Sequence, residues 1–240
     1  MKLEEVNKQI KVCRRCRLFE TRANALCGEG PRDARIMLVA QAPGENEDRE
    51  GRMFIGPSGK VLDELLRMAG VCRDEIYITN LIKCMLPRYR KPKQDEIVAC
   101  SKYLDEEIDV INPSVLAPLG YYASRYIFMK YSLDFPDREE VYTIYGRLFL
   151  TSNGKDGGAA KKIYPLRHPA ALLYNEGLSE EMERNYHKLG ILLHDCAWFK
   201  RCPERRRLQE VSMDNEWLEL YCKGDWESCP YFAVEGGRER

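Results

Sequence analysis

An α/β fold, with a parallel sheet covered by helices on both faces, is what the sequence predicts, and three observations predict it. Short apolar runs that read as buried strands alternate with longer segments whose apolar residues recur at helical spacing. Turn-forming glycine and proline follow the strand ends, as in Ala42-Pro43-Gly44 and at Gly120. The 240 residues, 44% hydrophobic and 32% charged, suffice to bury one such core with appendages. In a fold of this kind the site lies at the carboxyl ends of the strands.

In chain order, residues Arg35 to Ala40 read as the first buried strand. Val61, Leu62, Leu65, Leu66 and Ala69 then give a helix one apolar face, with Ser58 as its cap and Gly70 as its stop. Ile76 to Asn80 is the second strand, and a basic, proline-containing loop leads from it to a helix over about Gln94 to Ile111. Ser114 to Leu119 reads as the third strand, with a helix behind Gly120. The stretch from Asp134 to Gly158 is less regular: Tyr145 to Leu150 is a strand candidate and Ser152 to Gly158 has loop composition. Ile163 to Leu166 is a last strand running into His168-Pro169, and a helix from about Ser179 to His194 closes the pattern, with Met182, Tyr186, Leu189 and Leu193 on one face. The strand ends thus present the Gln41 loop, Asn80 and His168. Residues 1–195 form the expected domain, and 196–240, with an arginine-rich run, tryptophans and cysteines, a small appendage.

No apolar run approaches the roughly 20 residues of a membrane-spanning helix, and the start, MKLEEVNKQIKVC, has no hydrophobic segment like that of a signal peptide. The expected setting is the cytoplasm, without a membrane. Ten cysteines there point to metal ligation rather than to disulfides. The 38 basic residues balance the 38 acidic ones, so only local clusters speak for a nucleic-acid partner. One is Arg14, Arg15, Arg17 and Arg22; the other is Lys83, Arg88, Arg90, Lys91 and Lys93, with no acid between Lys83 and Lys93. Both flank cysteines, which favours a DNA path over solvated basic loops. Cys13 and Cys16 are spaced C-x2-C, Cys84 follows the second strand and Cys100 sits on the next helix. Four thiolates suit zinc or an iron–sulfur cluster equally well by ligand softness, and unrelated buried thiols are the alternative. Cys196, Cys202, Cys222 and Cys229 are enough for a second four-ligand site, though their spacings fit no standard finger; packing against Trp217 and Trp226 is the alternative.

With these residues assembled, the chain resembles the iron–sulfur uracil-DNA glycosylases known as family 4, over about Cys13 to His194. The motifs that carry the resemblance are the C-x2-C pair, AQAPGENEDREGRMFIGPSG from Ala40 to Gly59, NLIKC from Asn80 to Cys84, the helix cysteine Cys100, and HPAALL from His168 to Leu173. It implies a three-layer α/β/α sandwich with a four-stranded parallel central sheet, and a 4Fe–4S cluster on Cys13, Cys16, Cys84 and Cys100. It also implies hydrolysis of the N-glycosidic bond of uracil in DNA, as in base excision repair. The implied setting is prokaryotic and the implied state monomeric, with uracil-containing DNA as partner and a replication clamp or polymerase as a further candidate.

Residue by residue, Phe54 matches the aromatic face on which the extruded base lies; without the motif it reads as a core residue beside a turn. Asn80 matches the asparagine that reads the Watson–Crick edge of uracil, offering both a donor and an acceptor. His168, otherwise an ordinary structural histidine, matches the donor to uracil O2 as charge develops on the departing base. Glu47 matches a carboxylate near C5, where bulk excludes the methyl of thymine; its alternative is an exposed loop carboxylate. Gln41 and Ala42 complete the expected base pocket, and Gln41 is the third candidate for the chemistry. Arg88, Arg90 and Lys91 are expected on DNA, and Leu172 or Leu173 is expected to wedge into the duplex, with helix-start packing as the alternative.

The chain departs from the family at Ala40-Gln41-Ala42-Pro43-Gly44. Most members of family 4 have Glu where Gln41 stands, and the classical uracil-DNA glycosylases follow their Gln with a water-orienting Asp, where this chain has Ala42. No histidine lies between Gly44 and Phe54, unlike in the branch that cross-links itself to DNA. Neutral Gln41 keeps two other readings open: the same fold acting on another deaminated base such as hypoxanthine or xanthine, and a weakly catalytic DNA-binding iron–sulfur module.

Overall fold

A computed structural model of the chain describes residues 2–151 and 161–193. The expected appendage, 196–240, with Cys196, Cys202, Cys222 and Cys229, lies outside them, as do His194 and the expected loop from Ser152 to Gly158.

Strands β1 (Ile36–Ala40), β2 (Ile76–Asn80), β3 (Val115–Pro118), β4 (Phe149–Leu150) and β5 (Lys162–Ile163) form one sheet in the order β2-β1-β3-β5-β4. Both faces of β1 and β2 are buried, so side-chain alternation divides each strand between two cores. Met37, Val39 and Tyr77 point to one core, with α1 (Leu3–Lys11), α4 (Gln94–Ile111) and α5 (Tyr121–Lys130) laid over it. Ile36, Leu38, Ala40, Ile76 and Ile78 point to the other, covered by α3 (Pro57–Met68) and α6 (Ser179–Leu193). The apolar face expected for the last helix is the one that packs, with Met182, Tyr186 and Leu189 fully buried. Among the described residues no helix is long and apolar enough to cross a membrane.

Two expectations need correction, and one element was not foreseen. Among the described residues the sheet has five strands rather than four, because β4 is added at the edge, antiparallel to β5, while the other pairings are parallel. Thr151 and Lys161 are joined by Thr151 N–H to Lys161 O (3.0 Å) and Lys161 N–H to Thr151 Oγ1 (2.8 Å), so the chain returns directly beside itself and can pair only in the antiparallel sense. The helix over 57–68 is capped not by Ser58 but by Gly56, with Pro57 in the first helical position, where its fixed φ suits the turn and its missing N–H costs nothing. The start of the chain is a helix as well, α1, burying Leu3, Val6 and Ile10 at helical spacing. Gly70 does end α3: its φ of +67° is left-handed, and Val71 N–H reaches back to Leu66 O at 2.9 Å.

β1 sits between β2 and β3, so connections leave it in opposite directions and a crevice opens at its carboxyl end. Ala40 pairs with Asn80 in register, and Gly120 N–H bonds Leu166 O at 2.8 Å, which brings the segments after β1, β2, β3 and β5 to one rim.

Candidate active site

A cavity of about 370 Å³ opens at that rim. Its walls include Gln41, Ala42 and Glu47 after β1, Phe54, Asn80 at the end of β2, and His168 and Leu173 after β5, so the expected base-site residues come together. The volume suits a small planar ligand rather than a polymer.

Phe54 is buried and adopts φ +51°, left-handed for a bulky side chain, and its ring lies 5.8 Å from that of His168 with 27° between the planes. Asn80 is 3% exposed, and its Nδ2 donates to Met53 Sδ at 3.3 Å. Thioether sulfur is a weak acceptor, so that donor can be exchanged for a ligand oxygen at little cost. His168 Nδ1 accepts from Ala170 N–H at 3.1 Å. A backbone amide can only donate, so Nδ1 carries no proton and the neutral ring bears its hydrogen on Nε2. Burial pulls the His168 pKa down to about 4, against a smaller opposing effect of the Glu47 carboxylate.

Glu47 is not the exposed loop carboxylate that its acidic surroundings allowed. It lies on a short helix, α2 (Glu45–Glu50), is 9% exposed, and accepts from Gly56 N–H at 2.7 Å. The acid therefore fixes the loop that leads from Phe54 into α3. The two leucines divide: Leu172 packs against the core, whereas Leu173 is 46% exposed at the cavity mouth.

The basic segments divide too. Arg88 and Lys91 are exposed, and Arg88 and Tyr89 both have positive φ, 55° and 53°. Arg90 lines the cavity but forks onto the buried carboxylate of Glu96, at 2.9 and 2.5 Å. Lys83 is a correction to the expected DNA path. It is 2% exposed, with Nζ 2.6 Å from Glu107 Oε2 and 2.7 Å from Thr79 Oγ1, a buried ion pair beneath the sheet. Arg14, Arg15 and Arg17 are exposed, but Arg22 turns inward, donating to Cys84 Sγ at 3.1 Å and to Cys13 O at 2.8 Å.

Cys13, Cys16, Cys84 and Cys100 line one second cavity, together with Leu18, Arg22 and Tyr103. Lys83 N–H donates to Cys100 Sγ at 3.2 Å. Among the described residues no three His, Cys, Asp or Glu side chains are grouped to hold a metal ion. Burial pushes the thiols of Cys16 and Cys84 up, and that of Cys100 up to about 12, which favours their neutral form.

Sequence reasoning missed Glu107 and Arg73. A signal existed for Glu107: it falls inside the buried stripe Tyr103, Leu104, Ile108 and Ile111 of α4, and an acid within an apolar face requires a partner. None existed for Arg73, which reaches backbone carbonyls nineteen and twenty residues away.

Residues 27–190 match the family model described as the Uracil DNA glycosylase superfamily. The chain is similar to a type-4 uracil-DNA glycosylase of Sulfurisphaera tokodaii, 39% identical over 78% of this chain and 83% of that protein. It is similar also to proteins of the same name from Saccharolobus solfataricus, 37% identical over 78% of this chain and 84% of that one, and from Archaeoglobus fulgidus, 35% identical over 79% and 92%.

Proposed function

Because the chain belongs to the Uracil DNA glycosylase superfamily, we propose that its cavity takes up a uracil flipped out of DNA and hydrolyses the bond between base and deoxyribose, leaving an abasic site. It is a uracil-DNA glycosylase, a hydrolase of DNA repair. The relatives that are 35–39% identical over more than three quarters of its length carry that name, which gives no support to a different deaminated base or to a module without catalysis.

The observation that carries the mechanism is the neutral His168 ring, with Nδ1 occupied by Ala170 N–H and Nε2 left as a donor in a cavity that also holds Phe54 and Asn80. Phe54 offers the face on which the base stacks, and Asn80 the amide that reads its edge. As the glycosidic bond breaks, negative charge gathers on uracil O2. His168 Nε2–H, fixed beforehand and partly shielded from water, stabilises that charge without giving up its proton. Gln41 and Ala42 supply no carboxylate, Glu47 Oε1 accepts from Gly56 N–H and Glu45 Oε2 from the Tyr89 hydroxyl, so on this proposal these residues have the task of stabilising the leaving base rather than of activating water. Leu173, exposed at the mouth, would fill the gap left by the flipped nucleotide, and the exposed Arg88 and Lys91 would meet phosphate.

Cys13, Cys16, Cys84 and Cys100 would hold a 4Fe–4S cluster. An all-sulfur donor set around one cavity, with N–H groups of Lys83 and Arg22 directed at two of the sulfurs, suits that group. When bound, the cluster supplies a cross-link between the start of the chain, the loop after β2 and α4.

The test is single-turnover excision from a uracil-containing oligonucleotide, read by alkaline cleavage of the abasic product. His168→Ala should slow excision by about a hundred- to a thousandfold with DNA affinity nearly unchanged. Gln41→Ala should cost clearly less. A His168→Ala protein at nearly the parent rate, or a Gln41→Ala protein that is the slower of the two, overturns this assignment.

A further inference from the structure

The face offered to the base is held in an unfavourable backbone conformation, and its restraint comes from outside the cavity. Phe54 sits at φ +51°, a region that L residues with bulky side chains rarely occupy unless the surroundings compel it. What compels it is visible on every side. Met53 N–H donates to Glu29 Oε1 at 2.8 Å, fixing the residue before the turn. Arg73, from the short turn that precedes β2, donates to the carbonyl of Met53 and, through Nη1, to that of Phe54 at 3.2 Å. The same Nη1 donates to Asp63 Oδ1 on α3 at 3.0 Å, so the guanidinium is itself held. On the remaining side Gly59 packs so closely that a Cβ there would collide with the Phe54 carbonyl. Arg73 is absent from the cavity wall, so it touches no base.

We propose that Arg73 is a positioning residue for uracil excision: by gripping the Met53 and Phe54 carbonyls it keeps the Phe54 ring in the orientation that receives the base. The inference rests on Phe54 being the stacking face in the function proposed above. A guanidinium is suited to the task because its fork reaches two carbonyls and a carboxylate at once, which the single ammonium of lysine does less well. A ring displaced by even an ångström loses its alignment with the scissile bond, and misplacement of that size costs on the order of a hundredfold in rate.

A double-mutant cycle on the full chain tests this, with single-turnover excision, DNA affinity and thermal unfolding measured for Arg73→Ala, Phe54→Ala and the pair. Arg73→Ala should lower the excision rate by roughly ten- to a hundredfold while DNA affinity stays near that of the parent. Arg73→Lys should recover part of the loss. In the Phe54→Ala background, Arg73→Ala should change the rate by less than about twofold, because the residue it acts through is gone. Asp63→Ala, which removes the acceptor and so releases the guanidinium without removing it, should show the same dependence on Phe54 and serves if Arg73→Ala does not fold. The proposal is overturned if Arg73→Ala excises at the parent rate, or if it costs the same factor in both backgrounds. If Phe54→Ala itself excises at the parent rate, the stacking role of Phe54 fails and Arg73 falls with it.

Discussion

The protonation state of His168 makes a prediction that separates an electrostatic donor from a general acid. In the unfolded chain the imidazole titrates near its ordinary value of about 6.5, whereas burial brings it to about 4 in the folded protein. At pH 7 only about one folded molecule in a thousand then carries the cation, and at pH 5 about one in ten. If the neutral ring is the working form, single-turnover excision should be flat from about pH 5.5 to 8. If imidazolium were required, the rate would fall tenfold for each pH unit across that range. A rate that declines steadily between pH 6 and 8 in the parent, with the decline abolished in His168→Gln, would refute the donor reading.

The same shift has a consequence for stability whose sign is fixed. Because the folded pKa lies below the unfolded one, between pH 6.5 and 4 the unfolded chain binds a proton that the folded chain refuses. Stability is therefore full above about pH 6.5 and is lost as pH falls toward 4. Between pH 7.5 and pH 5 this amounts to about 2 kcal/mol at most, since one side of the ring opens to the cavity. Urea unfolding of the parent and of His168→Gln at both pH values isolates it as the difference between the two proteins. Equal losses in both would show that His168 already titrates normally in the folded state.

Two further outcomes follow from the sorted cysteines and cations. Purified protein should be brown, with iron and broad violet absorbance, and Cys84→Ala should lose both and unfold at lower temperature; colourless, iron-free parent protein with full activity would contradict the cluster assignment. Neutralising Arg88 and Lys91 should weaken DNA binding for all sequences alike and flatten its salt dependence by about one unit of slope for each phosphate that is no longer neutralised. Replacing Arg90 should chiefly destabilise the fold, because it strands the buried Glu96 carboxylate; equal salt slopes for all three variants would refute the division.

How far the sequence could be read depended on whether a residue's role was set locally. β1 and β2 were legible as short uninterrupted apolar runs bounded by turns and α6 by the helical period of its one buried face, and Gln41, Asn80 and His168 because they stand at or beyond strand ends that face the crevice. β4 was only a candidate because two residues carry little periodicity, and α1 was passed over because three apolar residues are scattered through a highly charged segment. Lys83 was misread for a physical reason. A run of cations predicts a basic surface only if every member points outward, and Lys83 is drawn inward by Glu107, twenty-four residues away, together with Thr79. Arg22 shows the same limit, since its partner Cys84 is sixty-two residues distant.

These inward-turned cations change what the loop after β2 does. Its first residues bound the thiol cavity, with Lys83 N–H on Cys100 and Cys84 under Arg22, while Leu86, Tyr89 and Arg90 wall the base cavity. Tyr89, held at positive φ, reaches across the mouth to Glu45 Oε2 at 3.2 Å, on the helix that also carries Glu47. One short stretch of chain therefore borders both cavities. Tyr89 lies only a few residues beyond Cys84, and just past it the chain is pinned by Arg90 on Glu96. A composition that looked like a uniform basic surface is thus two structures in series. Lys83 and Arg90 are spent on buried acids that hold the loop's two ends, and this leaves Arg88 and Lys91 exposed on the part between and beside them, where a phosphate backbone can be met.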